Sequence, residues 1–466
     1  MQTPSGFPFS TDRRRLSLAC ILRASGFVLL LVAMLREPAS FSLEPTPALI
    51  DGGSLDYTIE ELEWVASRFD VSGPVIVSPF AGRGNINLHT YDVTAGASRY
   101  LLQKVNSNVF TLPYRVMKSM GLSIEAQRDR LDLCGVRGEW EPIQLVRTRE
   151  GDDFLDLSDD RGWSVWRMMV RIEDVRCHKC LAEVGGREEQ LEAVEQVGRG
   201  LAIYSDLTST IDPGTVQPSL PGYRDTGLYY RQFHSVLRGS RTLADAADLL
   251  PDDPILRAST QRHFLVALEE NERLARLRDP DLLPYLILLR EREEFAMSLW
   301  LALGQGRIRH TLIHGDTKIE NFLFCRKTGR VKSLVDLDTI MGFTWLADWG
   351  DMVRSLCNVA GECERDLDRV VVDPEIYLAA ARGFLRQSRE VRGQEVRLMC
   401  EAAQAITLEL GLRFLTDYLR GDTYFQLGPD DPPDLNRVRG LVQLTLYQRL
   451  VELGPSFEEE VCSLRR

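Results

Sequence analysis

The chain has no surplus of positive charge, no regular cysteine framework, no internal repeat and no apolar run long enough to span a bilayer. Each absence excludes something. Lys and Arg total 56 against 68 Asp and Glu, a net charge of −12. That sign is opposite to the basic footprint of a nucleic-acid binder, so no nucleic-acid partner is expected. The nine cysteines stand at 20, 134, 177, 180, 325, 357, 363, 400 and 462. An odd count at irregular spacing reads as reduced thiols in a cytosolic protein rather than a disulfide scaffold. Cys177-His178-Lys179-Cys180 is a lone C-x-x-C. A zinc site needs four ligands and no second pair stands at a suitable spacing, so an incidental pair is expected.

The longest uncharged apolar run is residues 24–35, only 12 long, after Arg13-Arg14-Arg15 and Arg23. That is short for a membrane span and closer to the apolar region of a signal peptide. Residues 1–55 are therefore expected to be a leader or extension. A cytoplasmic protein with no stable membrane partner is the expectation, with anchoring or export through the leader as the alternative.

What remains is an ordinary globular composition, 44% apolar and 27% charged. At 466 residues the chain exceeds one small core, so two lobes are expected. The pattern predicts a helix over 57–69, strands over 75–77, 88–93 and 100–105, and further strands over 143–146 and 166–170. An acidic loop is predicted over 150–162 and a connector over 171–174. Beyond it the period turns helical, over 192–207, 282–303 and 394–419. The expected division is a β-rich lobe with its connector over 56–174 and a helical lobe over 175–466, an α+β plan.

Between the first two strands lies Ala81-Gly82-Arg83-Gly84-Asn85-Ile86-Asn87. Glycines such as Gly82 and Gly84 let backbone N–H groups approach phosphate oxygens, with Asn85 beside them. Lys104 closes the third strand, where kinases keep a phosphate-pairing lysine; a solvated strand-end lysine is the alternative. Around Arg171 and Glu173 in the connector, backbone groups can bond an adenine edge.

The densest chemistry is His314-Gly315-Asp316-Thr317-Lys318-Ile319-Glu320-Asn321, followed by Val335-Asp336-Leu337-Asp338. A strand pair over 322–335 should return Asp336 beside the loop holding Asp316 and Asn321. Asp316 can orient and deprotonate a hydroxyl. The Asn321 oxygen and the Asp336 carboxylate can hold Mg²⁺ against the phosphates of ATP. Lys318 either meets the γ-phosphate or sits exposed. His314 is expected to hold the loop by hydrogen bonding, Asp338 to support the metal or contact it, and Asp348 and Asp351 to tie the loop to a following helix.

This motif resembles that of the aminoglycoside phosphotransferase and choline kinase superfamily, and more narrowly that of N-acetylhexosamine 1-kinases. Further resemblance lies in Leu102 through Phe110, Trp166-Arg167-Met168, Pro221 through Thr226, and Arg413 through Phe425. The resemblance implies a protein-kinase-like two-lobed fold and transfer of a phosphoryl group from ATP, with Mg²⁺, to the anomeric hydroxyl of an amino sugar. It places Asp225 and Arg413 on the sugar side. Two positions depart from it: Asn85 stands where relatives often have His, and Gly315 where close sugar kinases often have Asn. The alternatives are a kinase of an aminoglycoside, choline or another hydroxyl compound, and a silent kinase-like binding module. Retention of Asp316, Asn321 and Asp336 argues against the last.

Overall fold

A computed structural model describes residues 57–81, 86–87 and 89–464. The leader expected over 1–55, and Gly82, Gly84 and Asn85 of the glycine turn, lie outside the described residues. The first described helix, Ile59–Ser67, starts at a capping box in which Thr58 and Glu61 satisfy each other's backbone N–H groups.

The first lobe is built on an antiparallel sheet. Its strands are β1 (Val75–Pro79), β2 (Thr90–Ala95), β3 (Ser98–Lys104), β4 (Leu145–Val146), β5 (Leu155–Asp159) and β6 (Gly162–Val170). They run in the order β1-β2-β3-β6-β4, with β5 also paired to β6. β5 corrects the expected 150–162 loop: it forms a hairpin with β6 whose Asp159 pairs Gly162, a glycine at φ +102°. Only Leu155 of β5 is buried, so acidic neighbours mask the alternation.

The two faces of this sheet differ. Val77, Val93, Leu102, Trp166 and Met168 pack with Leu62, Val65 and Ala66 of the first helix. On the other face, Val165 joins the core that holds Val116, Met117, Met120 and Ile124 of the Pro113–Arg130 helix. That helix was not among the sequence expectations, although Pro113 opens it in the position where proline is tolerated.

From Val170 the chain passes through the connector to β7 (Val175–Arg176), which pairs with β9 (Phe322–Cys325); β9 in turn pairs with β10 (Val331–Leu334). A separate pair joins β8 (Thr311–Ile313) to β11 (Met341–Phe343). Around these strands lie the helices Arg187–Thr208, Trp345–Cys357, Pro374–Gln387, Met399–Arg420 and Leu435–Leu464. The Arg187–Thr208 and Pro374–Gln387 helices meet backbone to backbone. A Cβ on Gly198 would lie 2.2 Å from the Ala380 carbonyl oxygen.

The single helix expected over 282–303 is instead three pieces, Leu283–Glu291, Glu293–Ala296 and Ser298–Gly304. The reason is that the segment serves two cores. Leu282, Leu286 and Leu289 pack in one cluster, and Leu299 and Ala302 in another. One straight stripe cannot face both, and the chain turns at Arg292 and Met297. The helix expected over 394–419 likewise breaks, into Gly393–Val396 and Met399–Arg420. No helix among the described residues is long and apolar enough to cross a membrane.

Candidate active site

β8 delivers His314, Gly315 and Asp316 to the junction of the lobes, and the Trp345–Cys357 helix holds them there. Asp348 accepts from the His314 and Gly315 backbone N–H groups at 2.7 and 2.8 Å. Asp351 accepts from the Thr317 N–H at 2.9 Å, and the Thr317 hydroxyl donates to the Asp348 carbonyl at 2.7 Å. Burial pushes the Asp348 carboxyl up to about 7, against the pull of those two N–H donors. Burial acts on Asp351 too, but Arg354 and Arg224 outweigh it and hold that carboxyl well below its ordinary value. The acidic residues after the motif are thus anchors for the loop.

His314 is buried, and burial lowers its pKa. Its Nδ1 accepts from the Asp316 N–H at 3.2 Å, so Nε2 carries the proton and donates to the Val335 carbonyl at 2.9 Å. The ring is a neutral pin between the loop and the end of β10. Gly315 sits at φ +89°, and its carbonyl accepts from the Tyr223 hydroxyl at 2.6 Å and from Arg224 at 3.1 Å.

The loop brings three sequence-predicted residues together. Asn321 Nδ2 donates to the Asp316 carbonyl at 2.8 Å and to its Oδ2 at 3.2 Å. Lys318 Nζ lies 3.2 Å from Asp316 Oδ1 and 3.4 Å from Glu320. Asp316, more than any other group, raises the Lys318 pKa and keeps it charged. Both carboxylate oxygens of Asp316 are therefore held, which orients it toward one acceptor direction. The β9–β10 hairpin turns at Gly329 and returns to Asp336, a non-glycine residue in left-handed conformation at φ +66° and ψ +61°.

Asp336 is exposed, yet the surrounding protein, then the Asp338 and Asp316 carboxylates, push its pKa up to about 7. A carboxylate crowded by others, beside an Asn amide whose nitrogen is turned to Asp316, fits an incoming divalent cation with hard oxygen preferences. Among the described residues no group of three or more His, Cys, Asp or Glu could hold a metal alone. A cation here would complete its coordination with phosphate and water, as Mg²⁺ prefers.

The structure places other predicted residues elsewhere. Lys104 donates to the Tyr57 hydroxyl at 2.8 Å, and Tyr57 packs edge-on against Trp166, the residue opposite Lys104 in β6. Strand alternation puts both on the first-helix face of the sheet, away from Arg167 and the second lobe. Arg171 bonds Asp92 across the sheet and lies over the Phe80 ring, at 5.7 Å. Glu173 is exposed, and its carbonyl accepts from Lys332 at 3.3 Å. Asp225 caps the Thr226–Arg238 helix by accepting from the Leu228 N–H at 2.8 Å, a local role.

Arg413 is partly buried among aromatic rings. Its guanidinium carbon lies 5.3 Å from the Tyr223 ring, 4.8 Å from Tyr229, 5.5 Å from Tyr424 and 5.4 Å from Phe425, and it donates to the Tyr424 hydroxyl at 3.2 Å. Tyr223 connects this cluster to the Gly315 carbonyl, one residue from Asp316. Sequence reasoning did not single out Tyr229, nor a partner for Arg167. The signal for the latter was available: a charged residue in the otherwise apolar stretch Val165 to Val170 demands a buried partner.

Residues 155–384 match the family model described as phosphotransferase enzyme family. Among solved structures, the microcompartment-associated aminopropanol kinase aligns over 85% of this chain and 98% of its own, at 13% identity and a TM-score of 0.50. A spectinomycin phosphotransferase in complex with ADP and spectinomycin covers 83% of this chain and 99% of its own, at 11% identity and a TM-score of 0.45. The ethanolamine kinase of Plasmodium vivax covers 83% and 84%, at 11% identity and a TM-score of 0.43. At 13% identity the first of these speaks for the fold alone, a kinase-like arrangement of a sheet-based lobe and a helical lobe.

Proposed function

We propose that this protein, whose residues 155–384 match the phosphotransferase enzyme family model, transfers the γ-phosphoryl group of ATP to a hydroxyl of a small molecule, most specifically the anomeric hydroxyl of an N-acetylhexosamine. The observation that carries the chemistry is the Asp316 carboxylate, oriented on both oxygens by Asn321 and Lys318. Asp316 takes the acceptor's hydroxyl proton as that oxygen bonds to the γ-phosphorus and the bond to the ADP oxygen breaks. Asn321 and Asp336 would hold Mg²⁺, which supplies charge compensation to the phosphates. In this reading backbone groups around Arg171–Glu173 meet the base, and backbone N–H groups near Gly82 and Gly84 meet the phosphates.

The acceptor reading rests on Arg413. A guanidinium is always charged and donates in a planar fork. Set among four aromatic rings beside the catalytic loop, it suits hydroxyl and acetamido oxygens on a ring that stacks. It repels the ammonium groups of choline or an aminoglycoside. Use of ATP and Mg²⁺ fits a cytoplasmic protein.

The test is ADP release over a panel of N-acetylhexosamines, plain hexoses, choline and aminoglycosides, with ³¹P NMR of the product. A sugar 1-phosphate is expected. Stimulation by choline or an aminoglycoside and by no sugar would overturn the acceptor reading.

A further inference from the structure

Asp338 stands two residues beyond the proposed metal ligand Asp336, yet its own carboxylate is already engaged. It is 2% exposed. Its Oδ1 accepts from Arg167 Nη1 at 2.5 Å and its Oδ2 from Asn87 Nδ2 at 2.7 Å. Its backbone carbonyl accepts from the Ser219 hydroxyl at 2.5 Å. Each carboxylate oxygen thus accepts one hydrogen bond from the first lobe.

These bonds close a ring. Arg167 Nε donates to Gln103 Oε1 at 2.9 Å, and Gln103 Nε2 donates to the Thr90 hydroxyl at 3.0 Å. That hydroxyl donates to the Asn87 carbonyl at 2.8 Å, which returns to the starting residue. Asn87 Oδ1 also accepts from the Asn106 N–H at 3.0 Å. Four members belong to the first lobe: Asn87 at the exit of the glycine turn, Thr90 on β2, Gln103 on β3 and Arg167 on β6. Asp338 alone belongs to the second.

Apart from the half-buried Gln103 the ring is buried, and it is charge-assisted, so it is short-ranged and directional. It joins Asn87, β2, β3 and β6 of the first lobe to the segment that carries Asp336.

We propose that Asn87 and Asp338 are positioning residues, a latch between the lobes that fixes β2 and β3 of the first lobe against the segment carrying Asp336 and so tunes affinity for the magnesium nucleotide. This rests on the kinase reading above.

Asn87→Ala in the full chain is the informative variant. It deletes one arm and leaves the Arg167–Asp338 ion pair in place, so folding should survive. We expect the Kd for ADP with Mg²⁺, measured by calorimetry, and the KM for ATP each to rise about tenfold, the size expected from loss of one hydrogen bond to a charged group. The KM for the acceptor should stay within about twofold. Ser219→Ala removes a bond to the same loop from within the second lobe, and should leave ADP affinity within about twofold. In an Asp338→Asn background, adding Asn87→Ala should weaken ADP binding little further, because the two share one interaction.

Unchanged ADP affinity in Asn87→Ala overturns the latch. So does an equal loss in Ser219→Ala, or fully additive losses in the double variant. A wild type that binds no ADP with Mg²⁺ overturns both latch and kinase reading. One that binds it but phosphorylates no sugar overturns the acceptor reading alone.

Discussion

Replacing Gly315 by Ala probes how tightly the catalytic loop is held. Gly315 stands at φ +89°, where an L-residue costs about 1–2 kcal/mol. An added Cβ would lie 2.7 Å from the Thr339 carbonyl oxygen and 3.0 Å from its Oγ1. Thr339 is not free to retreat, because its hydroxyl donates to the His314 carbonyl at 2.8 Å. Overpacking of this kind costs about 1–3 kcal/mol, so the sum is about 2–5 kcal/mol. Gly315 is itself fastened at its N–H by Asp348 and at its carbonyl by Tyr223 and Arg224. The strain must therefore appear as a shift of the loop, and Asp316 is the next residue. A misplacement near 1 Å costs about 100-fold in rate. Urea denaturation should show the loss of stability. Initial rates of ADP release should show kcat down by about 10- to 100-fold with the KM for ATP little changed. Asn at this position tolerates positive φ better but meets the same oxygen, so it should recover only part of the loss. A Gly315→Ala protein with stability within about 0.5 kcal/mol of wild type and full kcat would refute the reasoning.

Three further outcomes are expected. Asp316→Asn should lower turnover by about 10²- to 10⁴-fold while ADP still binds, since the proton acceptor is lost and the nucleotide site is not; wild-type turnover would remove Asp316 from that role. Arg413→Ala should raise the KM for the acceptor by about 10- to 100-fold and leave that for ATP alone, as loss of a charged hydrogen-bond donor predicts; an effect on ATP instead would place Arg413 on the wrong substrate. His263 is held neutral because burial, then Arg420 and Arg262, push its pKa down to about 2 from an ordinary 6.5. The unfolded chain takes up that proton first, so this group's share of stability is present above pH 6.5 and is lost as pH falls, about 2 kcal/mol by pH 5. Denaturation curves of His263→Phe at pH 7 and pH 5 should show a shallower dependence than wild type, and an identical slope would count against it.

The loop from His314 to Asn321 and the return to Asp336 were legible because their parts are close in sequence. The β9–β10 hairpin lies where alternation and Thr328-Gly329 predict it, and it brings Asp336 back near Asp316. Strands β1 to β3 were legible from the same alternation, to within a few residues. The Pro113–Arg130 helix and β5 were not. The helix carries Arg115, Lys118, Arg128 and Arg130 among its apolar positions, and β5 buries one side chain. The broken helix over 282–303 was illegible for a different reason: its leucines serve two cores, and nothing local says where one ends.

Sequence alone put a carboxylate and an amide on one short loop and returned a second carboxylate toward it, because a hairpin is a local event set by turn residues and alternation. It determined too that a β-rich part precedes a helical one. Which face of the sheet looks at the loop was decided only in the tertiary structure. Lys104 and Gln103 are neighbours on one strand, and register sends one to Tyr57 under the first helix and the other to Arg167 and the second lobe. The same holds for Asp225, claimed by its own helix N-terminus, and for Arg413, which meets Tyr223 from nearly 200 residues away. A side chain's partner across such a distance depends on how helices and sheet pack, and packing is a property of the whole chain.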